Sequence, residues 1–388
     1  MKKKVLIIFK YPHAWNEHVI NRFLIYYDTE FLHINNFKNK NFTEIIDHIN
    51  NLIKLKSIEI VVFDVDYFKF INFFFIEKIN SKKKILITGD DFDQHEIHSI
   101  TASACDLVLS ACPLSVLKYK EKGYQAYFIP FESGKINTNS TTKEIDVLFF
   151  GHVTPDRKEF LDYIVNEGIS IKNVGHHEQV EGLPIDELIK LISKSKIVLN
   201  LSKSRTTSVL NYVSKSVYRF YYQFKGRICL VGLTGTACVS EYSPGQEMIF
   251  KEDELPTFYA KEDCVKILKD LLQNEELLLK YKNKFTSKVY NLFEEKKNFE
   301  PIYNAIENKL GYRRVKLFQF PYWYLRIVAK QIILRNIKLT TLLRTIFQFN
   351  IIFSIIKNSN FLIKTLIVFE SVINISWYSL VSIFKSNK

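Results

Sequence analysis

The residues with the clearest capacity for chemistry lie at a turn in the second half of the chain. An apolar run is followed by Gly151 and, six positions later, by the adjacent bases Arg157 and Lys158. Thr154 is a residue type that caps helices and Pro155 suits the first helical position, so a helix is predicted to begin here. The unpaired N–H groups and the positive end of the helix dipole favour an anion. A helix start without a ligand is the commoner outcome, so the motif needs support from elsewhere.

Two further segments supply that support. Lys225 and Arg227 flank a glycine, and a guanidinium can bind a phosphate through two parallel hydrogen bonds. The segment Glu241–Glu247 follows another apolar run, and its Ser243 and Gln246 have capping-box spacing. A second helix start is therefore predicted at the same edge of a sheet. Two converging helix N-termini would suit a diphosphate.

Candidates for proton transfer occur mainly in the first half. Asp90, Asp91, Asp93 and His95 follow a short apolar run, and we interpret them as part of a loop at the carboxyl end of a strand. A carboxylate or an imidazole there is a candidate general base. Asp91, His95 and, in the second half, His152 are the predicted catalytic side chains. The predicted substrate-binding residues of the first half are His13, Asp90 and Asp93.

A metal site formed by Asp91, Asp93 and His95 is the alternative interpretation of this acidic segment. Acidic loops more often face solvent or cap helices, so no metal is predicted. The five cysteines are odd in number and include no C-x-x-C pair, which argues against a disulfide framework or structural zinc and favours a reducing cytoplasm.

The elements that must position these residues alternate between short apolar runs and helix-length segments. Apolar character that is continuous along a strand, with helices between strands, is typical of a parallel sheet covered on both faces. In the first half, strands are predicted at Lys4–Phe9, Glu30–Ile34, Ile58–Asp64, Lys84–Thr88, Asp106–Ser110 and Ala126–Pro130. In the second half, strands are predicted at Ile145–Phe150, Ser170–Val174, Lys196–Leu201 and Ala237–Ser240, and helices at Pro155–Glu167, Pro184–Ser193, Val213–Leu230 and Pro244–Phe250.

The fold class is therefore α/β, with two Rossmann-like domains facing a cleft and a helical tail. The predicted divisions are a first domain at 1–135, a polar linker at 136–144, a second domain at 145–312 and a tail at 313–388. Ligands of open parallel sheets bind beyond the carboxyl ends of the strands, which places the site in the cleft. Neither the G-x-G-x-x-G nor the P-loop fingerprint occurs, which argues against those two kinds of nucleotide site.

From Ile145 to about Phe293, the sequence resembles the C-terminal half of glycosyltransferases with the GT-B architecture. It is most similar to the "glycosyl transferases group 1" subset that includes CgeB-like proteins. The motifs that carry the resemblance are the strand–glycine start (Phe150, Gly151, Pro155, Asp156, Arg157), Gly175, Lys196–Leu201, Lys225–Ile228 and Glu241–Gly245. The first half resembles the N-terminal half of these enzymes more loosely, at Asp106–Ser110 and Tyr124–Pro130.

The resemblance implies transfer of a sugar from a nucleotide-sugar donor, held by the second domain, to an acceptor held by the first. It implies a reaction without metal or cofactor, because helix N-termini and basic side chains neutralise the leaving diphosphate. Arg157 and Arg227 would face that diphosphate. The donor contacts that it implies are Gly151, Arg157, Gly175, Lys225, Arg227, Glu241, Ser243, Gly245 and Glu247, and the acceptor side falls to His13, Asp90 and Asp93.

Leu230 departs from the family pattern, which has a Glu here whose carboxylate binds the donor ribose. Either Glu241 or Glu247 compensates, or the donor sits differently, or the protein is an inactive, membrane-associated binding or scaffold protein. A nucleotide-sugar epimerase of the same architecture is a third, weaker alternative.

The net charge of +13 belongs mostly to the tail. Residues 313–388 contain twelve Lys or Arg and the single acid Glu370, which gives +11 and leaves +2 for residues 1–312. The tail is too apolar for nucleic-acid binding. Its bases, with aromatics such as Trp323 and Trp377, are typical of helices that lie in an anionic membrane surface. A helical bundle packed within the protein and a spanning helix at Thr365–Phe384 are the alternatives.

Together these features predict a cytoplasmic enzyme, peripheral to the inner membrane face. Its predicted partners are a nucleotide sugar, a cell-envelope or lipid-linked glycan acceptor and an anionic membrane surface. No nucleic-acid partner is predicted.

Overall fold

The computed structural model describes residues 2–9, 14–37, 40–65, 70–89, 91–130, 136, 142–175, 183–203, 222–308, 320–336, 352–353, 356 and 363–371. Within these residues two parallel sheets form, as the continuous apolar strands predict. The expectation of an α/β fold with two Rossmann-like domains is thereby confirmed.

The first sheet has six strands in the order β2-β1-β3-β4-β5-β6, with every pair parallel. Its strands are β1 (Lys4–Phe9), β2 (Asp28–His33), β3 (Ile60–Asp64), β4 (Lys83–Thr88), β5 (Leu107–Ser110) and β6 (Ala126–Phe128). The second sheet has five strands in the order β11-β10-β9-β7-β8, also parallel. These are β7 (Ile145–Phe149), β8 (Ile171–Asn173), β9 (Ser195–Asn200), β10 (Ala237–Glu241) and β11 (Thr257–Phe258).

Helices cover both faces of each sheet, so each domain has two hydrophobic cores. The helices of the described residues include α1 (Ala14–Tyr26), α2 (Phe42–Lys56), α3 (Phe73–Glu77), α4 (Asp91–Ala102), α5 (Pro113–Glu121), α6 (Pro155–Asn166), α7 (Ile185–Ser193), α8 (Arg227–Leu233), α9 (Lys261–Gln273), α10 (Glu275–Leu292), α11 (Glu295–Glu307) and α12 (Tyr322–Asn336), and residues 363–371 of the tail are also helical. The sequence does not predict the two-residue edge strand β11, because a run so short leaves no period to detect.

After the second sheet the chain returns to the first domain. Helix α11 packs on α1, where the rings of Tyr26 and Tyr303 stack with centroids 4.4 Å apart. Phe299 lies edge-on to Phe23 at 5.0 Å, and the Tyr27 hydroxyl donates to Glu307 at 3.1 Å. The two domains are therefore joined by the linker and by this returning helix.

The described parts of the tail pack on the first domain as a helical bundle, which was the alternative to a membrane-surface tail. Tyr324 and Leu325 of α12 are fully buried, and Ile356 and Ile367 belong to the same core. The Tyr324 hydroxyl accepts a hydrogen bond from the Phe73 N–H at 2.9 Å. Among the described residues, no helix combines the length and hydrophobicity needed to cross a bilayer.

Three local predictions differ from the structure. The predicted helix Val213–Leu230 lies partly outside the described residues, and within them the helix α8 begins only at Arg227. The segment Pro244–Phe250 forms a 3₁₀ turn at Gln246–Met248 instead of a helix, because Gly245 adopts a left-handed conformation at φ +88°. The acidic segment that includes Asp91 and His95 is the start of α4 instead of a loop.

Candidate functional site

The carboxyl edge of the second sheet is built around two glycines. Gly151 follows β7 with φ +111°, a conformation that other residues rarely adopt. A Cβ on it would lie 2.4 Å from Nη1 of Arg227, so the guanidinium rests directly on the glycine. A Cβ on Gly175 would lie 2.7 Å from the Gly151 carbonyl oxygen and 2.3 Å from Cγ2 of Val153. The structure thus brings together Gly151, Gly175 and Arg227, three of the predicted donor contacts.

Arg227 is held in place at this edge by the backbone. It is the first residue of α8, and its Nη1 donates to the carbonyl oxygen of Phe150 at 2.6 Å. The guanidinium also lies 5.6 Å from the centre of the Phe150 ring. The side chain is half-buried, so a fixed positive charge keeps part of its surface open to solvent. Nearby, Lys225 is half-buried and donates to Oε1 of Gln223 at 2.7 Å.

Arg157 has a different environment from Arg227. Thr154 caps α6 and Pro155 is its first residue, as predicted, but the Arg157 side chain is 5% exposed. Its guanidinium donates to the carbonyl oxygens of His152 at 2.6 Å and Lys203 at 2.7 Å. In this arrangement Arg157 ties the start of α6 to the end of β9. Its contact with a diphosphate stays a prediction.

Lys203 links two acids of this edge, a role that the sequence does not predict. Its backbone N–H donates to Oε2 of Glu241 at 2.8 Å, and its Nζ donates to Oδ2 of Asp156 at 2.9 Å. Burial raises the pKa of Glu241, while the hydrogen bonds from the backbone and the positive charge of Arg157 oppose the rise. The only signal that points to Lys203 is its position just after a predicted strand.

The loop at Glu241–Glu247 approaches the first domain. A Cβ on Gly245 would lie 2.7 Å from the backbone nitrogen of Leu114 at the start of α5. Ser243 is fully buried, whereas Glu247 is exposed. Burial raises the pKa of Tyr242, and the neighbouring Glu247 carboxylate adds to the rise. This loop therefore forms a contact between the two domains at the predicted cleft.

At the carboxyl edge of the first sheet, Asp91 is the centre of a buried network. Its carboxylate is within 2.8 Å of Nδ1 of His98, and it accepts hydrogen bonds from Tyr119 at 3.0 Å and Ser110 at 3.1 Å. Burial opposes its ionisation, but the imidazoles of His95 and His98 outweigh that effect and hold the Asp91 pKa well below its usual range. Asp91 is 0% and His95 4% exposed, so neither has a surface that an acceptor hydroxyl can reach. Their catalytic role stays a prediction without geometric support.

Two buried polar side chains lie beside this network, and the sequence does not predict a role for either. Gln94 and Thr88 are 0% exposed, and among the described residues neither side chain has a hydrogen-bond partner. Thr88 ends β4 in register with Ser110 of β5, at the edge that faces the cleft. Buried polar groups are nearly always paired, so two unpaired groups at a cleft edge are candidates for ligand or water contact.

Some of the predicted residues lie outside the described part of the chain. These are His13, Asp90 and the side chain of Asp93. Within the part that the structure describes, no group of three or more His, Cys, Asp or Glu side chains could hold a metal ion. His152 is described and half-buried.

Comparison with protein families finds a match in the second domain. Residues 140–294, which are 155 of the 388, match the family model described as "Glycosyl transferase-like". The match covers most of the second domain and less than half of the chain. The match spans all three segments that meet at the Arg227 edge, and it confirms the predicted relationship. The assignment to the CgeB-like subset stays a prediction, and no curated protein matches the sequence.

Solved structures extend the likeness from the second domain to both domains. HepE of Anabaena, solved with UDP and glucose, has a TM-score of 0.51 at 10% identity over 78% of this chain and 99% of its own. TarM of S. aureus, solved as a point mutant with Fondaparinux, alpha-GlcNAc-glycerol and UDP, has a TM-score of 0.50 at 12% identity. That alignment covers 69% of this chain and 59% of the TarM chain. At such identities the likeness establishes the shared GT-B fold.

Proposed function

We propose that the protein transfers a sugar from a nucleotide-sugar donor to a cell-envelope or lipid-linked glycan acceptor. The observation that carries this proposal is the seating of the Arg227 guanidinium against Gly151 at the carboxyl edge of the second sheet. The absence of a side chain at Gly151 and Gly175 lets Arg227 and the chain around Val153 pack closely there, which fixes a cation at the edge where ligands of open parallel sheets bind.

The leaving diphosphate is the group that this edge would stabilise. Arg227 is already oriented by the Phe150 carbonyl, so little reorganisation is needed when charge develops on the leaving group. The N-terminus of α6, with the positive end of its helix dipole, lies at the same edge. Since Arg227 and the helix dipole supply the positive charge, the reaction is proposed to proceed without a metal.

A carboxylate for the donor ribose must come from elsewhere than position 230. Leu230 is 6% exposed and belongs to a core of the second domain. Glu241 already accepts the Lys203 N–H, whereas Glu247 is exposed in the same loop. We therefore assign ribose binding to Glu247.

The proton from the acceptor hydroxyl requires a base if the transfer inverts configuration. Of the three side chains predicted to be catalytic, His152 alone has surface that a substrate can reach. It lies next to Gly151, and an imidazole accepts a proton near neutral pH. His152 is thus the proposed base, while Asp91 positions α4 at the acceptor side.

The decisive experiment measures nucleotide binding by calorimetry and thermal shift with UDP, GDP, dTDP and CMP. At least one nucleotide should bind, and Arg227→Ala should weaken its binding about tenfold or more, because a charge-assisted phosphate contact is lost. Arg326→Ala, an exposed tail arginine, is the matched control and should bind as the wild type does. The proposal fails if no nucleotide binds or if Arg227→Ala binds equally well.

Transfer itself separates an active enzyme from a binding or scaffold protein. Incubation of the matching nucleotide sugar with envelope extracts should release free nucleotide diphosphate, and His152→Ala should reduce the rate. Binding without any transfer or hydrolysis would favour the inactive alternative. Conversion of the donor sugar without acceptor would favour an epimerase.

The location that we propose is the cytoplasmic face of the membrane. Phe353, Leu366 and Phe369 of the tail are 52%, 40% and 62% exposed, in a region of net charge +11. Exposed apolar side chains in a basic segment suit an anionic lipid surface. Because α12 belongs to the core of the first domain, deleting the tail would also disturb folding, and point variants test the idea better.

Sedimentation with vesicles that contain phosphatidylglycerol provides that test. The double variant Leu366→Ser with Phe369→Ser should lose most of the vesicle-bound fraction. Leu55→Ser, which changes an exposed leucine of the first domain, is the control and should sediment as the wild type does. Equal sedimentation of all three proteins would refute membrane association through this face.

A further inference from the structure

The second domain has a cavity that the proposed function does not use. Its volume is about 270 Å³, and it lies between helices α9 and α10 and the edge strand β11. The residues of its lining that can recognise a ligand are Glu252, Thr257, Tyr259, Asp270 and Tyr281. We call it the Tyr259 pocket.

The aromatic wall of this pocket is preformed. Tyr259 is 73% exposed, and its ring stacks on Tyr242 with the centroids 4.9 Å apart and the planes 29° apart. Tyr281, which lies on α10, is half-buried. An exposed ring that is already held by a neighbour offers a flat apolar surface at a small entropic cost, so it is suited to a ligand with a flat apolar face.

The charged wall is acidic. Glu252 and Asp270 line the pocket and are both exposed, and no Lys or Arg is found among its described lining residues. Carboxylates accept short, charge-assisted hydrogen bonds from hydroxyl groups. The same carboxylates repel phosphates and acidic sugars.

We infer that the Tyr259 pocket binds one neutral sugar ring of a glycan. A pyranose has a C–H face that packs on a tyrosine ring and hydroxyls that donate to carboxylates. The volume lies just below the range of roughly 300–1,000 Å³ that is typical of small-molecule sites, which suits one ring better than a longer chain. The choice of a glycan as the ligand rests on the proposed function.

The position of the pocket connects it to the donor loop. Tyr242, which supports Tyr259, directly follows Glu241 of that loop. The hydroxyl of Thr257 in the pocket accepts a hydrogen bond from Nε2 of Gln246 at 2.6 Å. An acceptor glycan that leaves the cleft beside this loop would thus meet the pocket, and a second point of attachment raises the local concentration of its reactive end.

Saturation-transfer NMR and calorimetry with neutral tetrasaccharides of glucose and of N-acetylglucosamine test the inference on the full chain. At least one should bind in the millimolar range, and Tyr259→Ala and Asp270→Asn should each weaken binding about fivefold or more. Asp263→Asn removes an exposed acid at the other end of α9 and should leave binding unchanged. Nucleotide affinity, measured on the same samples, should be unaffected in all three variants.

The possible outcomes separate the two proposals. If no tetrasaccharide binds, or if both pocket variants bind as the wild type does, the inference is overturned even where nucleotide binding persists. A preference for tetraethylammonium over the sugars would overturn it in favour of an organic-cation site. If sugar binding depends on Tyr259 but the protein binds no nucleotide, the inference about the Tyr259 pocket is supported and the proposed function is contradicted.

Discussion

The carboxyl edges of the two sheets use the same chain geometry for opposite purposes. In each domain a buried strand leads through a glycine to the start of a helix, at Thr88–Asp91 and at Phe149–Pro155. In the first domain the charged group at that corner is Asp91, which is 0% exposed and surrounded by His98, Tyr119 and Ser110. In the second domain the charged group is Arg227, which remains half-exposed against Gly151.

This difference shows that the burial of a charged side chain and its hydrogen-bond partners determine its role at a strand–glycine–helix turn. The carboxylate of Asp91 is paired on all sides, so it joins α4, β5 and α5 and has little left to offer a ligand. The guanidinium of Arg227 has a backbone partner at 2.6 Å and a glycine beneath it, and the side chain is only half-buried. The second domain contains the same contrast, since Arg157 is buried among carbonyl oxygens.

The largest effect should follow from Asp91→Asn. Removing the charge leaves buried imidazole and hydroxyl groups without their common acceptor, so we expect a loss of about 3 kcal/mol in unfolding free energy. Urea unfolding followed by tryptophan fluorescence measures this specifically, because all three tryptophans lie in the first domain or the tail, at Trp15, Trp323 and Trp377. Glu96→Gln, an exposed acid on the same helix, should change stability very little.

The lowered pKa of Asp91 determines how the stability loss in Asp91→Asn changes with pH. The folded pKa of Asp91 is lowered, so its contribution to stability is present above the unfolded pKa of about 3.9 and is lost as the pH falls through the folded value. The difference in unfolding free energy between wild type and Asp91→Asn should therefore become smaller below about pH 4. A gap that stayed constant would show that Asp91 acts by packing alone.

Gly151→Ala should have the next largest effect, on donor binding. The new methyl would lie 2.4 Å from Nη1 of Arg227 and displace the guanidinium, so nucleotide affinity should fall about tenfold or more. Gly168→Ala is the matched control: its φ is +86°, but nothing lies within 4 Å of the added carbon. Both variants should carry a similar backbone strain, of about 1 kcal/mol, but Gly168→Ala should bind nucleotide normally. Equal losses in both would mean that strain, and not the Arg227 contact, governs binding.

Glu241→Gln should give the smallest effect and sharpens the contrast with Asp91. Because burial raises the folded pKa of Glu241, wild-type stability is fully favoured below the unfolded pKa of about 4.3 and declines as the pH rises through the folded value. The variant lacks this decline, so its stability relative to wild type, followed by thermal melting, should increase between about pH 4 and about pH 7, by about 1 kcal/mol at most. Glu247→Gln, which changes an exposed acid, should melt in parallel with wild type. An opposite slope would mean that the carboxylate is stabilised in the folded state.

The strands and the helix caps were accessible from sequence because their signals are local. Continuous apolar runs located β1, β4 and β7 within a residue, and Thr154 with Pro155 marked the start of α6 correctly. The sequence predicts a loop at the acidic start of α4 because Asp91, Gln94 and His95 are polar but buried, which no local pattern reveals. The Pro244 segment failed as a helix because Gly245 turns left-handed where it meets Leu114 of the other domain.

The tail shows the same limit. Its composition fits a membrane surface as well as a protein core, since both bury apolar faces and leave bases in water. The packing of Tyr324 and Leu325 into the first domain depends on contacts with residues more than 200 positions away, such as Phe73 and Thr101.

The sequence by itself determined the class of fold, the order of the glycine and basic motifs, and the location of nearly all the net charge in the tail. Only the tertiary structure decided which charged side chains are buried among partners and which keep solvent-exposed surface. The sequence does not distinguish the environments of Arg157 and Arg227. In the structure the Arg157 guanidinium is surrounded by carbonyl oxygens, whereas the Arg227 guanidinium rests on Gly151. That distinction depends on burial and on partners from distant strands, which come together only when the sheet forms.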